Sequence, residues 1–252
     1  MPPRALRPAG IVLVDKPAGP SSFALVAALR RRTRARTGHA GTLDPSATGL
    51  LVILSGAATK IAPCFVGLDK RYLTDVDLTA TTSTGDAQGE LRDEHEAPPL
   101  RELEDRLARL RGEVELPIPA VSAVKIGGER AYRLARRGVS VEMPQRRSQV
   151  YELDVVGYAG DSVRIALHVS SGTYVRAIAT ALGGHCVTLR RTSVGPFRVE
   201  EADPDRLIPA SAALARLPAS ALRAVGEGVV ASVAALEEPA DLMLGTASAV
   251  GS

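Results

Sequence analysis

Asp44 stands between Leu43 and Pro45 in the stretch GHAGTLDPSATGLLV, residues 38–52, inside a run of small residues. An Asp-Pro pair is a turn signal, because proline pre-sets its own φ and aspartate can hydrogen-bond the backbone ahead of it. The same carboxylate, presented on a loop, could also serve as a nucleophile. An arginine cluster stands just before it: RRRTRAR, residues 30–36, carries five arginines in seven positions, and His39 follows. Farther along, Tyr174 and Arg176 stand two apart in SSGTYVR. That spacing shares a face on a strand and not on a helix.

A second acidic motif competes. DVDLT, residues 75–79, fits the Asp-x-Asp-x-Thr start of haloacid-dehalogenase-type phosphatases. Such enzymes need an apolar strand before the motif, and the preceding DKRYLT is polar. No later acidic pair is suited to holding magnesium. The motif is short enough to arise by chance.

The elements that must position these residues follow from periodicity and punctuation. Residues 11–14 form a short apolar strand candidate closed by the turn-rich DKPAGP. Ser21 or Ser22 then caps a helix, FALVAALRRR, with arginines in its last turn where the helix dipole favours them. Residues 38–52 read as a loop ending in the apolar run LLVIL, and residues 57–65 as helical. Residues 71–79 alternate, with Tyr72, Thr74, Val76 and Leu78 on one face, which argues a strand. LRELEDRLARLRG is the clearest amphipathic helix, stopped by Gly112. Residues 151–157 and 163–169 alternate as strands around a Gly-Asp-Ser turn. Residues 173–182 read as a helix and 186–199 as a strand pair. The whole is an α+β pattern: a mixed, largely antiparallel sheet flanked by helices. Residues 1–206 form the main domain. Residues 207–252, alanine-rich and without aromatics, form a small C-terminal appendage.

At 252 residues, 45% hydrophobic and 23% charged, the chain is ordinary for a globular protein. No export signal is visible, and the apolar runs are too short to span a bilayer. Two cysteines, Cys64 and Cys186, make no disulfide framework, and a reducing cytoplasm suits them. No Cys/His cluster has zinc-ligand spacing. The net charge is only +3, yet arginines group at 30–36, at Arg133, Arg136 and Arg137, at Arg146 and Arg147, and at Arg190 and Arg191. Spread along the chain, with a sequence pI near 9.1, they favour a polyanion partner. Aromatics are 3% of residues, so any base stacking rests on one or two tyrosines.

GHAGTLDPSATGLL, with DKPAG upstream and DKRY downstream, closely resembles the bacterial TruB-type tRNA pseudouridine synthases. The likeness continues collinearly through TTSTGDAQG (81–89), SAVKIGGERAYRLARRG (122–138), SSGTYVR (170–176) and HCVTLRRTSVGPF (185–197). It implies isomerisation of uridine 55 in the tRNA T loop, with Asp44 as the catalytic aspartate and Arg176 as its paired arginine. It also implies that Tyr72 stacks on the target base, that Tyr174 is the active-site tyrosine, and that Leu189 lines the base pocket. His39 matches a histidine that holds the displaced T-loop structure, and Lys16 an early motif lysine with a structural or substrate-positioning role. No cofactor or metal is implied. The partner is the tRNA T arm, with neither a membrane nor an obligatory protein partner, so a monomer is expected. The tail occupies the place of the family's PUA-like RNA-binding domain, as a reduced version of it or as a partly disordered segment. A non-catalytic tRNA-binding or RNA-folding protein on the same scaffold stands as the alternative. ALGGHCV is shorter than the family's usual link, and PIPAVSAVK is slightly compressed.

Overall fold

The computed structural model describes residues 9–139, 141–235 and 242–244, and of Arg136 and Leu242 the backbone only. The chain divides into two compact units, Met1–Lys70 with Arg190–Ser252, and Arg71–Leu189.

In the first unit, the strand Gly10–Lys16 pairs antiparallel with Thr48–Ser55 in unbroken register from Gly10↔Ser55 to Lys16↔Gly49. Its other edge takes Asp203–Pro209, which in turn carries Leu242–Met243. The outer edge of Thr48–Ser55 is shared. Thr37–His39 runs antiparallel along one end, and Arg190 and Arg191 run parallel along the other. The run LLVIL is continuously apolar because both of its faces are covered. Leu50, Val52 and Leu54 join Ile11, Leu13, Phe65 and Phe197 on one side. Leu51 and Ile53 join Val12, Val26, Leu29 and Leu207 on the other, under the helix Ser22–Thr33. All five residues of the run are 0% exposed, and each contributes about 1.5–3 kcal/mol of burial. Ala210, Ala213, Leu214, Leu217 and Val233 of the tail belong to the first of these clusters. Residues 236–241 and 245–252 of the tail lie outside the described residues.

In the second unit, Lys70–Asp77, Ser162–Val169, Gln145–Tyr158 and Gly112–Pro117 follow one another across the sheet. Here only one face is covered by helices. Leu103 and Leu107 of Leu100–Arg109 and Val175 and Ile178 of Val175–Ala181 pack on Val76, Leu153, Ile165 and Leu167. The opposite face carries ion pairs, Arg71 to Glu152 and Arg164 to Asp75. One dry face and one wet face is the physical origin of the alternation in residues 71–79 and 163–169. The α+β class and the largely antiparallel sheet are those the sequence predicts.

Candidate active site

Asp44 sits half-buried on a turn that the DKPAG segment holds from below. The Ala47 N–H donates to the Asp44 carbonyl at 3.2 Å, closing a β-turn with Pro45 in its second position, where a pre-set φ fits. The turn reading of the Asp-Pro pair is therefore real. Lys16 ends the first strand, fully buried, and its ammonium donates to the carbonyls of Pro17 (2.9 Å), Pro45 (2.9 Å) and Ala47 (2.7 Å). Its three donors are thus matched by three backbone acceptors. Burial pushes the Lys16 pKa down, and the Asp44 charge opposes that shift.

Two more ties fix the same turn. The Gly19 N–H donates to the Pro45 carbonyl at 2.8 Å, from a glycine whose φ of +106° needs no side chain. Ser22, in the first turn of its helix, is 2% exposed, and its hydroxyl both donates to the Leu43 carbonyl and accepts from the Leu43 N–H, each at 2.9 Å. The helix start is itself capped by Ser21, whose Oγ accepts from the Ala24 N–H at 3.2 Å.

His39 closes the short strand before the loop, paired with Ile53. Its Nδ1 is buried without a hydrogen-bond partner. Burial, and after it the nearby Arg191 charge, hold its pKa below the usual imidazole value, so the ring is neutral at pH 7. Arg191 is the residue that sequence reasoning missed at this site. It is 1% exposed, and its guanidinium donates to the carbonyls of Leu50 (2.7 Å) and Gly41 (3.1 Å), one on each side of Asp44. The signal was present in LRR: on a strand, neighbouring arginines point to opposite faces. Arg190 accordingly turns outward and grips Asp15 with two bonds of 3.0 and 2.7 Å. Lys70 lies near Arg191 and donates to the Val66 carbonyl at 2.6 Å; burial and the arginine charge lower its pKa to about 8.

The second unit holds the other predicted residues. Tyr72 and Leu189 are partly buried against one apolar cluster, Tyr72 projecting from Lys70–Asp77. Tyr174 is extended, at φ −95° and ψ 108°, and caps the helix that begins with Val175. Arg176 lies in that helix's first turn, so the two neighbours occupy different backbone conformations. Arg176 is 3% exposed and donates to the carbonyls of Thr84 (2.6 Å) and Val121 (2.9 Å). Its Nε is 3.7 Å from Asp86 Oδ2. Asp86 in turn accepts from the Thr84 hydroxyl (2.6 Å) and the Gln88 N–H (3.1 Å). The segment TTSTGDAQG is thereby built as a socket for the arginine, a role its sequence alone did not disclose.

Structure also sorts the arginine groups. Arg191 and Arg176 are internal, Arg190 pairs with Asp15, and Arg137 pairs with Glu129 at 2.8 Å. Arg32 is tied to Asp205 and to the carbonyls of Pro204 and Leu244. Several members of these arginine groups thus have internal roles. Arg30, Arg31, Arg34 and Arg36 remain exposed. Among the described residues, no three His, Cys, Asp or Glu side chains gather so as to hold a metal ion. None of the described helices is long and apolar enough to cross a membrane.

Residues 30–175, which include the Asp44 turn and the tyrosines at 72 and 174, match the TruB family pseudouridylate synthase N-terminal domain. The chain belongs to the TruB family. Among its relatives, a tRNA pseudouridine synthase B of Corynebacterium jeikeium is 44% identical over 212 residues, covering 77% of this chain and 68% of the relative. That of Mycobacterium sp. strain KMS is 42% identical over 210 residues, covering 77% and 70%. A solved relative, the crystal structure of a Cbf5–Nop10–Gar1 complex, superposes with a TM-score of 0.57 at 26% identity. It matches 75% of this chain, which spans half of that one. This TruB-family chain is thus a pseudouridine synthase by fold and an isomerase by class.

Proposed function

We propose that this chain isomerises uridine 55 of the tRNA T loop to pseudouridine, with Asp44 as the essential carboxylate. The observation that carries the reading is the Asp44 turn, a carboxylate on a loop whose main chain Lys16, Gly19 and Ser22 hold at Leu43 and Pro45, in a TruB-family domain. The relatives named tRNA pseudouridine synthase B support the substrate.

The reaction breaks the C1'–N1 bond and joins C1' to C5. The C5 proton leaves to solvent and N1 gains one, so the product has the substrate's composition and no redox partner is needed. Asp44 acts on the uridine while the glycosidic bond is exchanged. Arg176 is the arginine that the family resemblance pairs with this aspartate, and a positive charge beside a carboxylate keeps it ionised in a dry site. Extruding the base costs a few kcal/mol. Stacking on Tyr72 returns about 1–3 kcal/mol of that. Tyr174 and Leu189 complete the base pocket, and His39 holds the displaced loop of the RNA. The chain acts as a monomer without an obligatory protein partner.

The test is a T-arm transcript tritiated at uridine C5. Wild type releases tritium, and Asp44→Asn releases none while still binding the RNA. The turn survives that change, because the Ala47 N–H bonds the main-chain carbonyl of Asp44, not its side chain. Tritium release by Asp44→Asn at the wild-type rate would remove the carboxylate from the mechanism.

A further inference from the structure

One face of the helix Ser22–Thr33 has no use inside the fold. Ser22, Val26 and Leu29 point inward. Phe23, at 72% exposure, points out, and at helical periodicity Arg30 lies two turns farther along the same row. Seven residues place them about 10.5 Å apart along the axis. Small Ala27 lies between, and Arg31 and Arg34 extend the cationic end. Arg34 occupies the left-handed C-cap at φ 51°, a position that ordinarily favours glycine. Among the described residues, none of Arg30, Arg31 or Arg34 makes an ion pair, whereas Arg32, on the other side of the helix, is consumed by Asp205. A solvated helix end accounts for arginines in the last turn, but not for a phenylalanine left in water two turns away.

We infer that this face is an RNA-docking surface, on which Phe23 stacks on an unpaired base and Arg30, Arg31 and Arg34 hold backbone phosphates. The chemistry is complementary at both ends: an aromatic plane for a base, and guanidinium forks for phosphate oxygens. The helix also has a fixed relation to the candidate active site. Ser22 bonds both backbone groups of Leu43, the residue before Asp44. Phe23 therefore lies beside the Asp44 loop, and the cationic end is about 10–17 Å farther along the axis. RNA whose uridine is at Asp44 meets Phe23 first and the arginines next. This inference rests on the proposed tRNA substrate.

The test measures equilibrium binding of a transcribed tRNA to the full chain across a salt series. Phe23→Ala should raise Kd about 5-fold or more at every salt concentration, the lower end of what one base–aromatic stack contributes. Phe23→Tyr should retain the wild-type Kd. Arg30→Gln/Arg31→Gln/Arg34→Gln should weaken binding and flatten the log–log salt slope by about 2–3. Thermal melts matching wild type confirm that these exposed substitutions leave the fold intact. Wild-type Kd in Phe23→Ala, or a wild-type salt slope in the triple variant, overturns the proposal, and the face then serves a partner other than RNA. Tritium release is read separately: wild type that binds with these signatures but releases no tritium leaves the surface standing while the isomerase reading falls.

Discussion

Arg191 and Gly49 stand side by side in register across a parallel strand pair, with no room for a Cβ on the glycine. Any such carbon would overlap the Arg191 main chain, and the glycine φ of +99° would strain it further. From that seat the Arg191 side chain reaches the carbonyls of Gly41 and Leu50 and spans the Asp44 segment. The close approach and the clamp are one arrangement: a backbone pushed apart at Gly49 moves the guanidinium off both carbonyls.

Gly49→Ala should therefore destabilise the chain by about 2 kcal/mol or more. Gly160 separates the two causes, since its φ is +82° but nothing lies within 4 Å of its missing Cβ. Gly160→Ala should cost only about 1 kcal/mol, the backbone strain alone. Urea unfolding of the pair decides it; equal losses would mean that the contact with Arg191 is not the cause.

Lys16→Met removes the donor that three carbonyls around Asp44 share. The Ala47 acceptor is buried, and leaving it unsatisfied costs about 1–3 kcal/mol, so the melting temperature should drop. What shifts is the turn carrying Asp44, and misplacement of a reacting group costs about 10- to 100-fold in rate. The loss should fall on kcat more than on KM. An unchanged kcat with a raised KM would instead assign Lys16 to RNA binding.

Lys70 sets a pH dependence. Its ammonium titrates at about 8 in the fold against 10.5 in the open chain. Below pH 8 both states hold the proton, and the burden of burying the charge is fully present. Between about 8 and 10.5 the unfolded state binds more protons, so this group's contribution to stability rises with pH, by at most about 1.4 kcal/mol per unit. Unfolding free energies of wild type and Lys70→Met at pH 7.5 and 9.5 test this. The wild type should gain on the variant at the higher pH, and parallel curves would refute the shift.

Asp86→Asn keeps the shape of the socket around Arg176 while removing a negative charge beside a guanidinium only 3% exposed. The expected destabilisation is about 2 kcal/mol or more. Because the substitution is isosteric, thermal denaturation then reports charge and not volume. A neutral outcome would leave the two carbonyls of Thr84 and Val121 as the arginine's effective anchors.

Much of this was legible from the chain because local signals agreed with the fold. Ser21 capping a helix and the alternation of 71–79 follow from periodicity and turn chemistry, whereas LLVIL, read only as the apolar end of a loop, is a strand buried on both faces. Asp44 on its turn was legible for the same reason. The roles of Arg191 and Asp86 were not. Each acts on backbone groups or charges far away in sequence, Arg191 on Leu50 across 141 positions, and no window of residues contains such a pair. Charge runs misled in the same way. RRRTRAR reads as one patch, yet Arg32 is spent on Asp205, 173 positions on, while its neighbours face solvent.

That ion pair belongs to a unit assembled from both ends of the chain, residues up to 70 and from 190 onward, with residues 71–189 forming the other. During synthesis the contiguous unit leaves the ribosome whole. The first strand, Gly10–Lys16, has no Asp203–Pro209 to pair with until the whole of residues 71–189 has been made. The Asp44 turn is thus translated early and enclosed late, and its apolar neighbours must be kept from other partners throughout the interval.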